Sequence, residues 1–398
     1  MSLAETPRAN RLHIGIFGKR NSGKSSLINA ITGQETALVS DVAGTTADPV
    51  FKSMEVHGIG PCVFIDTAGF DDVGTLGRLR VEKTEEAAKK TDLALLIFSL
   101  GGFAEELEWL ARFRRSGTPV VPVVNKADIA EAALLAARVR EEAGVDPVLV
   151  SAKTGKGVAA LRTAILRAVP EGFEQESITG DLCKAGDLVL LVMPQDIQAP
   201  KGRLILPQVQ VLRELLDKKC LVSCCTGDNF EDALRSLSAA PDLIITDSQL
   251  FRPVYERKPK ESPLTSFSVL MAGYKGDLAY FTKSAAAIDS LTERSRVLIA
   301  EACTHAPLKE DIGREKIPRL LRQRVGQGLA VDFARGVDFP ADLTHYDLVI
   351  HCGACMFNRK YVIARVEEAR AQGVPMTNYG VALARLMGLP PLAEGKIL

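Results

Sequence analysis

The sequence predicts an α/β protein of three domains, each built on a mainly parallel sheet. Its 398 residues are too many for one typical hydrophobic core. Short apolar runs alternate with amphipathic stretches along the whole chain, which is typical of βα units. Two charged stretches that contain proline interrupt this alternation and favour linkers, VPEGFEQES near residue 170 and ERKPKESP at 256–263.

The apolar runs give the strands expected in each domain. In the first domain they are LHIGIFG (12–18), PCVFIDT (61–67), LALLIFS (93–99), VVPVVNK (120–126) and PVLVSA (147–152). In the second they are LVLLVM (188–193), CLVSCC (220–225) and LIITDS (243–248). In the third they are SFSVLMAG (266–273), RVLIAEAC (296–303), YDLVIHC (346–352) and VPMTNYG (374–380). The predicted domains span residues 1–172, 178–258 and 264–398.

Charge and hydropathy exclude several classes of protein. The 49 basic and 49 acidic side chains cancel, so no global field attracts nucleic acid or an anionic membrane. The apolar runs are too short to span a bilayer. The first residues, MSLAETPRANR, lack the apolar segment of a secretory signal. We therefore expect a cytoplasmic protein without a nucleic acid or membrane partner.

The eight cysteines do not form the dense pattern of a disulfide scaffold. In a reducing compartment, a close pair of cysteines indicates metal binding or redox activity rather than a cross-link. Five of the eight lie in or beside apolar strand-like runs. We expect these five to be small buried hydrophobic residues: Cys62, Cys183, Cys220, Cys224 and Cys225.

The stretch GKRNSGKS at residues 18–25 fits the pattern GxxxxGK(S/T) and lies between a predicted strand and a predicted helix. In such a loop, backbone N–H groups surround the phosphates of a nucleotide, and Lys24 contacts the β- and γ-phosphates. The Ser25 hydroxyl can ligate Mg²⁺. The residues expected to bind nucleotide here are Gly18, Asn21, Ser22, Gly23, Lys24, Ser25 and Ser26.

Three further motifs follow predicted strands in the same domain. DTAG (66–69) places Asp66 for an indirect contact with Mg²⁺ and the Gly69 amide near the γ-phosphate. NKAD (125–128) provides Asp128, whose carboxylate can accept hydrogen bonds from N1 and the exocyclic amine of guanine, a donor pair that adenine lacks. SAK (151–153) can close over the base. The remaining residues expected at the base are Asn125, Lys126, Ser151, Ala152 and Lys153. Together the four motifs predict a GTPase domain.

The segment GTT at 44–46 resembles the first switch region of the Era and MnmE-like GTPases. The resemblance implies that one threonine, Thr46 in preference to Thr45, meets Mg²⁺ and the γ-phosphate, so that Lys24, Thr46 and Gly69 are the catalytic residues. Phe70 stands where Ras-like proteins have a catalytic glutamine, so hydrolysis must be slow or assisted by another group. Asn21 matches the asparagine that holds K⁺ in these relatives; the alternative is a tolerated polar loop residue.

Two groups of soft metal ligands end predicted strands in the third domain. Cys303 and His305 follow the run VLIAEA, and His351, Cys352 and Cys355 follow DLVI. If these runs are parallel strands of one sheet, their carboxyl ends meet at one edge. Three cysteines suit an iron–sulfur cluster. A zinc site of three cysteines and one histidine is an alternative, as is a redox pair or plain core cysteines. Either histidine can ligate iron, hydrogen-bond a sulfur or pack.

A GTPase domain, a middle α/β module and a CxH…HCxxC terminal domain on one chain resemble the HydF family, the scaffold GTPases of FeFe-hydrogenase maturation. The opening ANRLHIGIFGKRNSGKSSLINA is also similar to that family. The resemblance implies a 4Fe-4S cluster held by Cys303, Cys352 and Cys355, with the fourth iron site open or weakly held. It also implies GTP, Mg²⁺ and K⁺ as cofactors and a homodimer or higher oligomer formed through the middle domain. The implied partners are the radical-SAM maturases HydE and HydG and the apo-hydrogenase HydA, which receives a two-iron subcluster precursor.

Other functions are compatible with parts of this pattern. An RNA-associated GTPase of the Era or MnmE type predicts a basic face, and the one compact basic cluster of the last domain is RLLRQR at 319–324, a pattern more typical of a solvated helix face. A GTPase gated by a redox-sensing iron–sulfur cluster is a second alternative. A zinc-stapled structural adaptor is the third.

Overall fold

The computed structural model describes residues 7–33, 49–56, 60–70, 75–100, 102–170, 173, 177–194, 204–302, 312–390, 392 and 396. The chain divides into two compact units, Met1–Glu174 and Gln175–Leu398. Thr45, Thr46, Cys303 and His305 lie outside the described residues.

The first unit is a six-stranded sheet with helices on both faces. Its strands are β1 (Leu12–Gly18), β2 (Val50–Val56), β3 (Gly60–Asp66), β4 (Leu93–Phe98), β5 (Val120–Val124) and β6 (Val148–Leu149). Its helices are α1 (Lys24–Thr32), α2 (Thr75–Lys89), α3 (Ala104–Arg115), α4 (Glu131–Ala143) and α5 (Val158–Ala168). The strand order is β2-β3-β1-β4-β5-β6, and only β2, which pairs with β3, runs antiparallel.

The central strands β1 and β4 are buried along their whole length, as expected for strands covered on both faces. One cluster on one face of the sheet joins β1 to α1 and α5 through residues such as Ile14, Leu27 and Leu161. Another cluster on the opposite face joins β1 to α3 and α4 through Phe17, Phe113 and Leu135. This packing fixes the carboxyl ends of the strands, where the predicted motifs lie.

The second unit contains two four-stranded parallel sheets. The strands of its first sheet are β7 (Leu188–Val192), β8 (Leu221–Cys225), β9 (Leu243–Thr246) and β10 (Leu264–Ser266), in the order β10-β9-β7-β8. Those of its second sheet are β11 (Arg296–Glu301), β12 (Ala330–Arg335), β13 (Leu348–His351) and β14 (Met376–Asn378), in the order β12-β11-β13-β14.

Helices cover both sheets of the second unit. They are α6 (Leu206–Asp217), α7 (Phe230–Ser236), α8 (Phe251–Arg257), α9 (Phe267–Lys275), α10 (Leu278–Ser284), α11 (Ile317–Val325), α12 (Arg359–Ala371) and α13 (Tyr379–Leu386). A single hydrophobic cluster includes Leu190 and Ile244 of the first sheet and Leu298 and Val349 of the second. The two sheets of this unit therefore share a core.

The expected fold class is confirmed, but one strand assignment is wrong. SFSVLMAG was expected to form the first strand of the third domain, whereas the chain forms the short strand β10 and then helix α9. Ser266 caps this helix by accepting a hydrogen bond from the Val269 amide at 3.3 Å. Strand β10 pairs with β9, so it belongs to the first sheet of the unit. The division of the chain into domains at residues 172 and 258 stays a prediction, and this pairing favours a later second boundary.

Four of the five cysteines expected to be buried are at least partly covered. Cys62, Cys183 and Cys220 are buried and Cys225 is intermediate, but Cys224 is exposed because it lies on the edge strand β8. Within the described ranges, no helix is long and apolar enough to cross a membrane.

Candidate functional site

The loop between β1 and α1 has the backbone that the glycine-rich motif requires. Gly23 has φ of 88°, in the left-handed region, and a Cβ atom added there would lie 2.3 Å from Asn125 Nδ2. Only glycine fits this position without displacing the asparagine. Asn21 also has a positive φ, 56°, a conformation that asparagine adopts more readily than most residues. The loop delivers the amino end of α1 to the sheet edge.

The side chain of Lys24 is buried and lies along this loop. Its ammonium group donates hydrogen bonds to the carbonyl oxygens of Gly18 at 2.9 Å and Lys19 at 2.8 Å. Lys19 contacts the start of α3, where its ammonium lies 2.7 Å from a carboxylate oxygen of Glu105 and 3.7 Å from one of Glu106. Lys24 therefore sits with its charge at the centre of a fixed loop, as a phosphate-binding lysine must.

Ser25 and Asp66, the two groups expected near Mg²⁺, contact each other. Ser25 Oγ donates a hydrogen bond to Asp66 Oδ2 at 2.6 Å. Burial raises the pKa of Asp66, whereas this hydrogen bond and the charge of Lys24 lower it. Asp66 ends β3, and β3 pairs with β1 in a register that matches Ile16 with Asp66, which brings the carboxylate beside the loop.

Asn125 connects three of the predicted motifs. Its Nδ2 donates to the carbonyl oxygen of Ser22 at 3.0 Å, and its Oδ1 accepts from the amides of Lys126 at 2.8 Å and Ala152 at 3.1 Å. Ser22, Asn125 and Ala152 come from three different loops at the carboxyl edge of the sheet. One buried amide side chain thereby holds these loops together.

Asp128 lies beside Ser151 at the same edge. Ser151 Oγ donates to Asp128 Oδ1 at 2.6 Å and accepts from the Thr154 amide at 3.2 Å. The hydrogen bond from Ser151 holds the pKa of the exposed Asp128 carboxyl below its usual value. Asp128 is therefore ionised near neutral pH. Ser151 orients the carboxylate through Oδ1 and makes no hydrogen bond to its other oxygen.

Phe70, which follows DTAG, points into the protein. Its ring is 8% exposed and stacks on Trp109 of α3, with ring centroids 5.9 Å apart. Trp109 stacks in turn on Phe17 of β1 at 5.5 Å. A side chain held in this aromatic stack cannot orient an attacking water, which agrees with the expectation that another group assists hydrolysis.

The cysteines of HCGAC lie at the end of β13, next to the end of β11. These strands pair in parallel with Ala300 opposite His351. Cys352 Sγ accepts hydrogen bonds from the backbone amides of Ala302 at 3.0 Å and Ala354 at 3.4 Å. Ala302 immediately precedes Cys303 in the sequence.

Cys352 and Cys355 are half-buried and are not joined in a disulfide. Burial raises the pKa of the Cys352 thiol to about 11, although the amides of Ala302 and Ala354 lower it. The thiol therefore keeps its proton at neutral pH, and a metal must displace it on binding. Among the described residues no group of three ligands can hold a metal ion, and the predicted third cysteine, Cys303, lies outside them.

Both ring nitrogens of His351 have hydrogen-bond partners in this arrangement, which favours packing among the three roles expected for this residue, and its ligand role stays a prediction. The Arg365 guanidinium, which can only donate, lies with Nη1 3.0 Å from His351 Nε2. Nε2 is therefore the acceptor, and Nδ1 carries the proton and donates to the carbonyl oxygen of Cys352 at 2.8 Å. Burial and the charge of Arg365 lower the pKa of His351 to about 3, so the ring is neutral.

Arg365 is the residue of this region that sequence reasoning missed. It lies on α12, outside every quoted motif, and its side chain is among the largest fully buried ones of the described chain. No spacing rule links it to His351, because the two residues meet only through the packing of α12 on β13. An arginine in the middle of an otherwise apolar helix face was the available signal.

Family models identify the parts of the chain. A model described as the 50S ribosome-binding GTPase matches residues 13–126, which hold the glycine-rich loop and DTAG and end within NKAD. The protein is a P-loop GTPase. The hydrogen maturase F dimerization domain matches residues 178–276, and the hydrogen maturase F tetramerization domain matches residues 279–392. These two models cover more than half of the chain, which belongs to the hydrogen maturase F family.

Similar proteins share the GTPase part. The tRNA modification GTPase MnmE of Laribacter hongkongensis is 40% identical over 169 residues, which are 42% of this chain and 36% of the relative. MnmE of Chromobacterium violaceum is 37% identical over 42% of this chain and 37% of its own length. The chain thus spans little more than a third of these relatives. A crystal structure of an Aquifex aeolicus Era variant bound to GDP and AlF4⁻ is 20% identical, covers 57% of this chain and 98% of that chain, and has a TM-score of 0.36.

The contact between Ser151 and Asp128 predicts a pH dependence of GTP binding. In Ser151→Ala the Asp128 carboxylate loses its donor, so its pKa rises toward the ordinary value of about 3.9. Because the base contact requires the ionised carboxylate, the loss of GTP affinity on lowering the pH should begin at a higher pH than in the parent protein. The measurement is GTP affinity between about pH 6 and about pH 3, the window that contains the ordinary pKa of about 3.9 and the lower pKa of the parent carboxyl.

Ser116→Ala, at the end of α3, serves as the matched control, since its hydroxyl contacts Phe113 and Thr118 of the same segment. Identical pH profiles for the Ser151→Ala variant, the control and the parent protein would remove the assigned role of Asp128.

Proposed function

We propose that this GTPase binds a 4Fe-4S cluster through Cys303, Cys352 and Cys355, and that it carries a two-iron subcluster precursor to apo FeFe-hydrogenase. The observation that supports this most is the hydrogen bond from the Ala302 amide to Cys352 Sγ at 3.0 Å. It brings the residue before Cys303 to the sulfur of Cys352, within the region matched by the hydrogen maturase F tetramerization domain.

The residues present fit such a cluster. Soft thiolates are the ligands that iron–sulfur clusters use, and backbone amides that donate to sulfur stabilise the bound thiolate. Cys352 already accepts two such bonds. When bound, the cluster supplies an iron site that three cysteines leave open to an exogenous group. We propose no ligand role for His351, since Arg365 occupies one of its nitrogens; His305 stays a candidate.

In the GTPase domain, the proposed roles follow the geometry. Lys24 exchanges its contacts with the loop carbonyls for the β- and γ-phosphates. Ser25, whose hydroxyl now donates to Asp66, would instead ligate Mg²⁺ together with Thr46, and Asp66 would contact the Mg²⁺ indirectly. The Gly69 amide contacts the γ-phosphate, and Asp128 selects guanine. The remaining contacts are proposed for Gly18, Ser22, Gly23, Ser26, Thr45, Asn125, Lys126, Ser151, Ala152 and Lys153.

The proposed partners follow from family membership. They are HydE and HydG, which build the precursor, and HydA, which receives it. We further propose that the protein works in the cytoplasm and that the nucleotide state alters its association with these partners through the switch segments. Such a role requires a conformational change and no chemistry on iron.

Loss of GTP binding and loss of the cluster should be separable. Lys24→Ala or Asp128→Ala should lower GTP affinity by at least about a hundredfold, since each removes a charged contact to the ligand, and leave the cluster absorption unchanged. Cys303→Ser, Cys352→Ser or Cys355→Ser should abolish the cluster and leave GTP hydrolysis intact. The measurements are nucleotide affinity, iron and sulfide content after anaerobic reconstitution, and activation of apo FeFe-hydrogenase by the loaded protein.

Cys62→Ser, which changes a buried cysteine of the GTPase domain, is the control for the cysteine variants. Failure of the loaded parent protein to activate hydrogenase would end the carrier proposal, and a cysteine variant that is folded yet cannot hydrolyse GTP would end the separation of the two sites.

Asn21 is the proposed K⁺ residue of the phosphate-binding loop. K⁺ at this position would supply the positive charge that an arginine finger provides elsewhere. Replacing K⁺ by Na⁺ should therefore slow hydrolysis by at least about tenfold in the parent protein and have little effect in Asn21→Ala. Asn229→Ala, another exposed asparagine, should keep the full response. Equal rates of hydrolysis by the parent protein in the two salts would exclude the proposal.

The edge strand β8 is the proposed dimer surface, in keeping with the dimerization-domain match. Leu221 on this strand is 62% exposed, and an apolar edge strand favours pairing with another chain. Leu221→Lys should shift the protein toward monomer in light scattering coupled to gel filtration. Leu134→Lys, at a leucine of the GTPase domain that is 70% exposed, should not. An unchanged mass for both variants would place the interface elsewhere.

A further inference from the structure

The Arg365 side chain is a buried positive charge without a carboxylate partner among the described residues. The residue is 2% exposed, and no ion pair joins it to an acidic side chain there. Its guanidinium instead contacts neutral groups: Nη1 lies against His351, and Nη2 donates to Tyr361 Oη at 3.1 Å and to the carbonyl oxygen of Gly336 at 2.5 Å.

Three aromatic rings complete the surroundings of this charge. The guanidinium carbon lies 4.6 Å from the ring centroid of Tyr361, 4.7 Å from that of Phe339 and 4.8 Å from that of Phe357. Aromatic faces attract a cation, but each contributes only about 2 kcal/mol even when desolvated. They hold the guanidinium in place without neutralising it.

Burial of an unpaired charge costs several kcal/mol, and these contacts offset part of that cost without supplying an opposite charge. A fold that only needed to fill this space could use an apolar side chain of similar size. An anionic group near the Arg365 guanidinium would therefore stabilise the fold, and the described residues do not provide one.

The position of Arg365 identifies that partner. It contacts the loop of the proposed cluster site twice, through His351 immediately before Cys352 and through Phe357 two residues after Cys355. Phe357 also packs beside Cys352, Ala302 and Ala354. A cluster held by thiolates carries net negative charge, and its reduction adds more. The anion and the cation would thus lie on opposite sides of one short loop.

We infer that Arg365 is the buried counter-charge of the iron–sulfur cluster, and that it raises the cluster's reduction potential from behind the HCGAC loop. The inference rests on the proposed function, because it requires a cluster at Cys352 and Cys355. Arg365 acts as a positioning residue: it orients the His351 ring and the loop backbone, and its charge favours the reduced cluster.

The test compares Arg365→Met, which keeps the length of the side chain and removes the charge, with Arg365→Lys, which keeps the charge. Arg370→Met on the same helix is the matched control, since Arg370 is exposed and pairs with Asp277 and Glu367. Each full-length protein is reconstituted anaerobically, and its reduction potential is measured by titration followed by electron paramagnetic resonance. The melting temperature is measured with and without the cluster.

In Arg365→Met, the ratio of reduced to oxidised cluster at a fixed potential should fall at least tenfold, a shift of about 59 mV to lower potential. Arg365→Lys and Arg370→Met should stay near the parent value. Without the cluster, Arg365→Met should melt at or above the temperature of the parent protein, because it lacks the buried unpaired charge, and the cluster should stabilise the variant less than it stabilises the parent.

An unchanged potential in Arg365→Met would overturn the inference. Two stability results would also overturn it: Arg365→Met fails to fold without the cluster, or Arg365→Met loses the same stability relative to the parent protein with and without the cluster. Either result would show that Arg365 has a purely structural role. If the parent protein takes up no iron and sulfide, the proposed function fails as well; if the parent protein is loaded and only the potential is unaffected, the inference alone fails.

Discussion

Parallel pairing of β11 with β13 is the constraint on which the candidate cluster site depends. It aligns Ala300 with His351, and the Cys352 amide continues the ladder by donating to the Ala300 carbonyl at 2.9 Å. Both strands therefore end at one level of the sheet. A slip of one residue in β13 would exchange the side chains of its two buried faces and carry Cys352 away from Ala302. Parallel pairing also assembles the GTPase site, where the carboxyl ends of β3, β1 and β5 lie at one edge of the sheet, with β4 between β1 and β5.

The motifs of the GTPase site could be recognised from the sequence because each is a short local pattern at the end of an apolar run. The contacts that join them are not local: Asn125, for example, bonds the Ser22 carbonyl 103 residues away. Short apolar runs elsewhere were ambiguous. SFSVLMAG has no period that distinguishes a strand from a buried helix, and α9 is apolar on nearly all sides because it packs into two hydrophobic clusters. Strands β2 and β12 escaped prediction because polar residues interrupt their short apolar runs, as both strands lie at sheet edges.

The candidate ligands of the cluster site stand out in the sequence, and they stay a prediction, whereas the residues packed around them could not be predicted. Cysteine spacing identifies Cys352 and Cys355, because only soft ligands recur in this way. The role of His351 depends on which side its ring faces, and that is decided by Arg365, 14 residues away on a helix. The contact of Arg365 with Gly336 spans 29 residues. Contacts of this kind arise from tertiary packing, and no periodicity in one sequence encodes them.

The two candidate sites differ in whether their charged and polar groups have partners within the protein when no ligand is bound. In the GTPase site, Lys24 is satisfied by carbonyl oxygens and Ser25 by Asp66. In the roles that we propose, nucleotide and Mg²⁺ would take the place of these contacts, which would limit the reorganisation that binding requires.

At the end of β13, one charged group of the candidate cluster site lacks a partner of opposite charge within the described part of the protein. Cys352 holds a proton that a metal must remove, and Arg365 has no anionic partner among the described residues. The anionic cluster that we propose for this site would meet both conditions at once, because the thiolate would form where the guanidinium can stabilise it. On that proposal the nucleotide site is prepared to exchange its ligand repeatedly, whereas the cluster site would gain stability on loading.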